Sequence, residues 1–161
     1  LALINSFFPR IVQLHQQSPA HFQENVNRFF RRMTCWSVAV SVVVSFAAPL
    51  IAHGVLGARF DRAAPVLALL VWGNVFVTQI AVRGKWFLLE EMQIYTLACF
   101  AIGAATHLAL LPLAAPDWGA LGTAASFGIA QLTMAVVAPA LFARSRPASV
   151  LALRSLWPMK N

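Results

Sequence analysis

Residues 33–58 read MTCWSVAVSVVVSFAAPLIAHGVLGA, and no Lys, Arg, Asp or Glu interrupts these 26 positions. About 20 consecutive apolar residues in a helix are enough to cross the ~30 Å hydrocarbon core of a bilayer. A transmembrane β-strand would alternate apolar and polar side chains over about ten residues. The valine-rich run 38–44 does not alternate in this way. The stretch therefore predicts a membrane-spanning α-helix.

Three more long stretches lack charged side chains, at residues 63–82, 92–116 and 118–143. Charged residues make up 11% of the chain and hydrophobic residues 60%, whereas soluble domains carry about 25% charged residues. We therefore expect an all-α fold, a polytopic membrane helix bundle with four complete spanning helices. The predicted spans cover roughly residues 34–56, 63–82, 92–115 and 118–143.

The beginning of the chain predicts part of a further helix. Residues 1–8 are apolar and stop at Pro9-Arg10, as the end of a fifth spanning helix would. We therefore expect this chain to be the C-terminal part of a longer protein. Residues 1–145 would belong to one lobe of that protein, and residues 146–161 would form a basic tail.

The connection at residues 10–33 predicts an amphipathic helix. Ser18-Pro19 is a favourable start, because Ser caps helices and Pro suits the first helical position. Apolar residues at 22, 26, 29, 30 and 33 form one helical face. A helix of this kind lies in the membrane interface before the chain turns into the bilayer. The alternative is an extension of the first spanning helix into water.

Basic residues are distributed unevenly between the two sets of connections. Residues 10–33, 83–91 and 144–161 hold 10 of the 12 Lys and Arg residues, and residues 57–62 hold the other two. By the positive-inside rule, the first set and the C-terminus face the cytoplasm. Nucleic-acid binding is not expected despite the net charge of +7, because no aromatic residues are interleaved with the basic ones to stack on bases.

Polar, uncharged side chains inside the predicted spans are the candidates for a functional site, because polar groups in lipid must find partners. We expect four of them to line a substrate-binding cavity: Asn74, Gln79, His107 and Gln131. A neutral imidazole can also carry a proton near neutral pH. The alternative role for all four is hydrogen bonding between neighbouring helices. No Lys, Arg, Asp or Glu is expected at mid-membrane depth.

Catalytic templates are missing from the sequence. It contains no Gly-rich phosphate loop, no His/Glu spacing typical of zinc sites, and no Ser or Cys nucleophile with a nearby base. Cys35 and Cys99 lack metal-type spacing and are interpreted as small side chains of membrane helices. We therefore expect no enzyme activity, no metal and no cofactor.

Four short segments carry a family resemblance. They are Phe7-Phe8-Pro9-Arg10-Ile11, VLGARF at residues 55–60 followed by Ala63-Ala64, HLALLP at residues 107–112, and WGALGTAA at residues 118–125. In this order and spacing, over about residues 1–145, they resemble the C-terminal lobe of Wzx-type polysaccharide flippases of the MOP exporter superfamily. The chain departs from the family at His107, a place commonly held by Asn.

The resemblance implies a transporter of two six-helix lobes, of which this chain would supply the last four spans. It implies that lipid-linked oligosaccharide is moved across the bacterial inner membrane by alternating access. The implied partners are the bilayer, the lipid-linked oligosaccharide and the N-terminal remainder of the same transporter. In this family a cationic cavity holds a pyrophosphate headgroup, and we expect its cations to lie outside this chain.

Other functions are compatible with a polytopic bundle. A drug or cation antiporter of the MATE type would need acidic residues buried in the membrane, and the predicted spans contain none. A non-transporting membrane subunit or anchor would need no polar cavity. A glycosyltransferase or ligase would need large polar loops, and the longest connection here is 10–33.

Overall fold

The structure, a computed structural model, describes residues 19–57 and 63–156. The described residues form helices joined by short turns, and none of them is in a strand, which confirms the predicted all-α class. The elements in chain order are α1 (Pro19–Ile51), a π-helical segment (Ala52–Leu56), α2 (Ala63–Leu89), α3 (Gln93–Leu132), a second π-helical segment (Thr133–Val137), α4 (Ala138–Leu141) and α5 (Arg146–Leu156). The predicted fifth-helix end at residues 1–8 lies outside the described residues.

Three of the helical stretches are long and apolar enough to cross a membrane: Asn27–Gly54, Ala63–Leu89 and Gln93–Leu141. In the most apolar 18-residue segment of each stretch, only 22%, 28% and 11% respectively is buried inside the molecule. Large apolar side chains point outward instead, such as Phe46 at 81% exposure and Leu113 at 71%. A water-soluble bundle would cover such extensive apolar surface, so the exposed surface is compatible with a membrane protein.

The longest of the three stretches contains both the third and the fourth predicted spans. Its helical geometry is interrupted at Gly119, where φ is 54° and ψ is −128°. A residue with a β-carbon rarely adopts this positive φ, so glycine suits the position. The third predicted span was expected to end between Pro112 and Pro116, but the helix continues through both prolines to the residue before Gly119.

The chain reverses direction at Gly119. The Ser126 side chain meets His107, Met134 lies against Gly103, and Gly122 lies against the Ala114 backbone. Because later residues of one half contact earlier residues of the other, the halves run antiparallel. We call residues 93–118 the first limb and residues 120–141 the second limb of the α3 hairpin.

The remaining helices also alternate in direction. Phe30 of α1 packs against Val82 near the end of α2, and the Ser41 hydroxyl donates a hydrogen bond of 2.9 Å to the Val71 carbonyl. A turn at residues 90–92 then joins α2 to the first limb. This order brings the start of α1, the end of α2 and α5 to one end of the bundle. We call it the basic end, because every Lys and Arg within the described residues lies there. The opposite end, with Gly57 and Gly119, is called the hairpin end.

Beyond Phe30, the buried face of α1 and of the π-helical segment after it consists of small side chains. Thr34, Ser37, Ser41, Ala48 and Ala52 are all buried. They follow one another at spacings of three, four, seven and four, so they form a single stripe toward α2. Small residues let two membrane helices approach closely. The serines of this stripe were not among the predicted polar candidates, although their helical spacing was visible in the sequence.

Two predicted boundaries at the basic end are wrong for one shared reason. The predicted interfacial helix is not separate, because α1 is continuous from Pro19 to Ile51, which fits the alternative of an extended spanning helix. The expected connection at 83–91 is mostly helix, because α2 continues to Leu89. Phe29, Phe30 and Met33 pack on this extra length of α2. The early part of α1 and the added last turns of α2 thus cover each other's apolar side chains.

Candidate functional site

Arg83 of α2 lies inside the helix bundle. Its side chain is only 2% exposed, and its Nη1 donates hydrogen bonds to the carbonyl oxygens of Met134 at 2.7 Å and Ala135 at 3.1 Å. The sequence had assigned this arginine to the connection after the second span, whereas the structure places it inside α2. The chain therefore holds a buried cation that charge counting alone placed outside the membrane.

The two carbonyls that Arg83 binds are the two that an amide at residue 139 could serve if that residue were not proline. In an α-helix the Ala135 carbonyl would accept from the amide of residue 139, and in a π-helix the Met134 carbonyl would do so. Proline has no amide hydrogen to donate. The preceding π-type bond does form, from the Ala138 amide to the Thr133 carbonyl. Arg83 thus supplies the donor that the backbone lacks in a region where water is scarce.

The rest of the guanidinium is buried without a hydrogen-bond partner. This holds for both Nε and Nη2, which lie on the same edge of the planar group. No carboxylate of the described residues pairs with Arg83, and its nearest aromatic contact is the Phe87 ring, whose centroid is 5.5 Å from Cζ. The edge formed by Nε and Nη2 matches two oxygens of a carboxylate or phosphate. This edge is a candidate site for an oxyanion.

A second candidate site is a cavity near the hairpin end, with a volume of about 460 Å³. It lies between the beginning of α2 and the α3 hairpin. Its wall is mainly apolar and is formed by Val66, Leu70, His107, Ala120, Thr123, Ala124 and Phe127. A cavity of this size and lining is typical of sites for small molecules.

His107 is held in place from two sides. Its Nδ1 is 3.2 Å from the Ser126 hydroxyl oxygen, which itself donates a 2.9 Å hydrogen bond to the Thr123 carbonyl. The imidazole also meets the Phe127 ring edge-on, with the ring centroids 6.1 Å apart and the planes at 85°. Ser126 and Phe127 belong to the second limb, so the hairpin fold fixes the orientation of the imidazole.

The four predicted cavity residues do not come together. Of the four, only His107 lines the cavity at the hairpin end. Gln79 is buried one helical turn before Arg83, on the same face of α2. Asn74 is exposed and Gln131 is half-buried. The structure thus divides the polar residues between the cavity and the region around Arg83, and a substrate-binding role for each stays a prediction.

The structure offers no evident metal site within residues 19–57 and 63–156, where no group of three or more His, Cys, Asp or Glu side chains is placed to hold an ion. Arg83 was the functional candidate that the sequence analysis missed. A proline inside an apolar span signals that some donor must reach the helix, but the sequence does not say which residue provides it.

No protein-family model, no curated protein and no solved structure matches the chain.

Proposed function

We propose that the chain belongs to a transporter that moves lipid-linked oligosaccharide across the bacterial inner membrane by alternating access, as its resemblance to Wzx-type flippases implies. In this proposal the chain crosses the membrane four times and its C-terminus is cytoplasmic. The two limbs of the α3 hairpin contain 26 and 22 residues. At 1.5 Å per residue they are about 39 and 33 Å long, enough for one crossing each.

The observation that carries the proposal is the buried Arg83. A cation inside a membrane bundle is costly, and such residues commonly mark the path of a charged substrate. The unpartnered edge of Arg83 suits two oxygens of a phosphate group better than a lysine would, because its donors are fixed in one plane. A pyrophosphate-linked lipid carries such oxygens, whereas a cationic drug does not.

The position of Arg83 along α2 agrees with uptake from the cytoplasmic leaflet. It lies seven residues beyond the midpoint of Ala63–Leu89, which corresponds to about 10 Å toward the basic end. With α2 centred in a ~30 Å hydrocarbon layer, the guanidinium would lie below the headgroups of the side toward which the basic residues are gathered. A headgroup entering from that leaflet would meet Arg83 before the membrane centre.

The edge of Arg83 is covered in the described arrangement, so alternating access requires the covering elements to move. The second limb is suited to such movement, since the π-helical segment Thr133–Val137 and Pro139 interrupt its regular hydrogen bonding. Side-chain hydrogen bonds from Arg83 hold this interruption. Substrate oxygens arriving at Nε and Nη2 would therefore act on the same group that holds the second limb.

Transport in proteoliposomes tests the proposal. The intact protein is reconstituted with a fluorescent lipid-linked oligosaccharide, and its movement between leaflets is followed with a membrane-impermeant quencher. We expect Arg83→Met to slow transport about 10- to 100-fold, because hydrogen bonds to a charged group contribute about 1.5–3 kcal/mol. Arg83→Lys should retain part of the rate.

Lys85→Met is the matched control, since Lys85 is also a basic residue near the end of α2 but is only half-buried. It should transport at close to the wild-type rate. Wild-type transport by a correctly folded Arg83→Met protein would contradict the proposal.

The same vesicles separate the alternative functions. A MATE-type antiporter would move a cationic dye against a proton or sodium gradient and would leave the oligosaccharide lipid in place. The acidic residues of the described chain, Glu24, Glu90, Glu91 and Asp117, lie near the ends of the helices or between them. This placement favours the flippase. A non-transporting subunit would move neither substrate.

A further inference from the structure

The hydrogen bonds around Ser126 determine which nitrogen of His107 carries the proton. A serine hydroxyl has one hydrogen to donate. Ser126 donates to the Thr123 carbonyl at 2.9 Å, and a carbonyl can only accept. With the Ser126 hydrogen assigned to the Thr123 carbonyl, the contact of 3.2 Å between Ser126 Oγ and His107 Nδ1 is a hydrogen bond donated by Nδ1. A neutral His107 consequently has its proton on Nδ1 and a free lone pair on Nε2.

The lone pair on Nε2 is left without a donor. Nε2 has no hydrogen-bond partner among the described residues, where the imidazole interacts with Ser126 and Phe127 alone. His107 is part of the cavity wall, but Ser126 is not. The ring therefore uses Nδ1 for the contact with Ser126, and Nε2 is not used in a hydrogen bond with any described residue. An acceptor left unpaired in an apolar setting is unfavourable, so a ligand that donates to it would bind preferentially.

The rest of the wall selects for an apolar ligand. Val66 and Leu70 of α2 and Ala124 and Phe127 of the second limb line the same cavity as the imidazole and give it a carbon-rich wall. Val66 lies in the first turn of α2 and Ala120 directly follows the bend at Gly119. The cavity therefore lies in the half of the bundle nearer the hairpin end.

We propose that this cavity is a binding site for an uncharged, apolar molecule with one hydroxyl group, whose hydrogen is donated to His107 Nε2. The hydroxyl supplies the missing donor, and the apolar body packs against the carbon-rich wall. The site is separate from Arg83, which lies toward the opposite end of the bundle. The proposal does not depend on the transported substrate, because it follows from the cavity and the protonation of His107 alone.

A pair of matched probes tests the site. One is 2,6-diisopropylphenol and the other is its methyl ether, which has the same body but no hydrogen to donate. Binding to the intact protein in lipid nanodiscs is measured by equilibrium dialysis against empty nanodiscs. We expect the phenol to bind at least 5-fold more tightly than the ether.

Two variants show where and how the phenol binds. His107→Leu removes the acceptor and should make phenol and ether bind equally. Leu70→Trp fills the cavity and should abolish binding of both. His53→Leu, at an exposed histidine outside the cavity, should preserve the preference for the phenol. Equal binding of phenol and ether to the wild-type protein would overturn the proposal, as would an unchanged preference in His107→Leu.

Nitrogen-15 NMR of the imidazole provides a readout that does not depend on the probes. His107, assigned by its loss in His107→Leu, should show a protonated Nδ1 and an unprotonated Nε2 at a pH where it is neutral. Addition of the phenol should shift the Nε2 resonance and leave Nδ1 nearly unchanged. A proton on Nε2 in the free protein would refute the assignment, because that nitrogen could then not accept from the ligand.

Discussion

Arg83 supplies a hydrogen-bond donor to the second limb at the place where Pro139 removes one. Pro139 takes away an amide donor inside the second limb, and the Arg83 guanidinium bonds to the Met134 and Ala135 carbonyls in its place. Inside a bilayer no water is present to accept or donate hydrogen bonds in place of a lost protein partner. The two carbonyls therefore depend on the Arg83 side chain. The energetic roles of the two residues should therefore be coupled.

A double-mutant cycle measures this coupling. Arg83→Met removes the side-chain donor to both carbonyls, whereas Pro139→Ala returns an amide that can bond to one of them. We expect Arg83→Met to be less destabilising in the Pro139→Ala background, with a coupling of about 1–2 kcal/mol. Unfolding in mixed detergent micelles gives the free energies of the four proteins. Strict additivity of the two substitutions would refute the pairing.

At the scale of the element, the α3 hairpin depends on two glycines with different roles. Gly119 provides the positive φ of the bend. Gly122 permits contact between the limbs, because a β-carbon there would overlap the backbone carbonyl of Ala114. The obstacle is a backbone group of the opposite limb, which cannot move aside as a flexible side chain can. Gly128 has open space around its missing β-carbon.

Substitution by alanine should change the unfolding free energy differently at Gly122 and at Gly128. Gly122→Ala forces the limbs apart near the bend, and we expect a loss of about 3 kcal/mol in unfolding free energy. Gly128→Ala meets nothing within 4 Å and should leave stability unchanged or raise it by up to about 1 kcal/mol, because alanine favours the helix. Thermal unfolding followed by size-exclusion chromatography compares the two proteins. Equal stability of both variants would argue against close limb contact.

Sequence patterns identified the helices better than their ends. The absence of charge correctly marked apolar helices, since helix type follows from composition in lipid. The same rule ended α2 at residue 82, because it treats any arginine as a boundary. Arg83 can be buried in the bundle because the second limb, more than 50 residues later in the chain, presents two carbonyl oxygens to its guanidinium. A contact of this kind requires the tertiary fold.

The candidate site was likewise predictable only in part. His107 is one of two histidines, with His53, in the charge-free apolar runs, and it does line a cavity. Its companions Ser126 and Phe127 were not predicted to join it, because their proximity results from the bend at Gly119. The proline-rich stretch before that bend suggested an earlier end to the helix. Prolines are tolerated there because membrane helices accommodate the missing bond.

At the scale of the whole molecule, the bundle separates charge along its axis. The start of α1, the end of α2 and α5 bring the basic residues to one end. The exposed apolar side chains surround the middle, among them Val43, Phe46 and Leu97. Because positive charge is retained on the cytoplasmic side, this separation predicts that the basic end faces the cytoplasm. The helices alternate in direction, so locating one end of the bundle determines the orientation of every helix.

Cysteine labelling of spheroplasts, before and after permeabilisation, provides the measurement that locates the ends. Single cysteines are introduced as Asp117→Cys at the hairpin end and Ala143→Cys at the basic end, both exposed positions. The background carries Cys35→Ala and Cys99→Ala. We expect a membrane-impermeant maleimide to label Asp117→Cys in spheroplasts and Ala143→Cys only after permeabilisation. The reverse pattern would invert the proposed topology.

The unbroken length of α1 has a mechanical consequence. Its 33 residues measure about 50 Å, roughly 20 Å more than the hydrocarbon layer. No glycine or proline occurs between residues 20 and 48, so this part of the helix has no hinge at which bending would be absorbed. A force on the portion that extends beyond the lipid would therefore tilt α1 as one rigid helix. Its serine-containing face would then rotate against α2, at the contact between Ser41 and Val71.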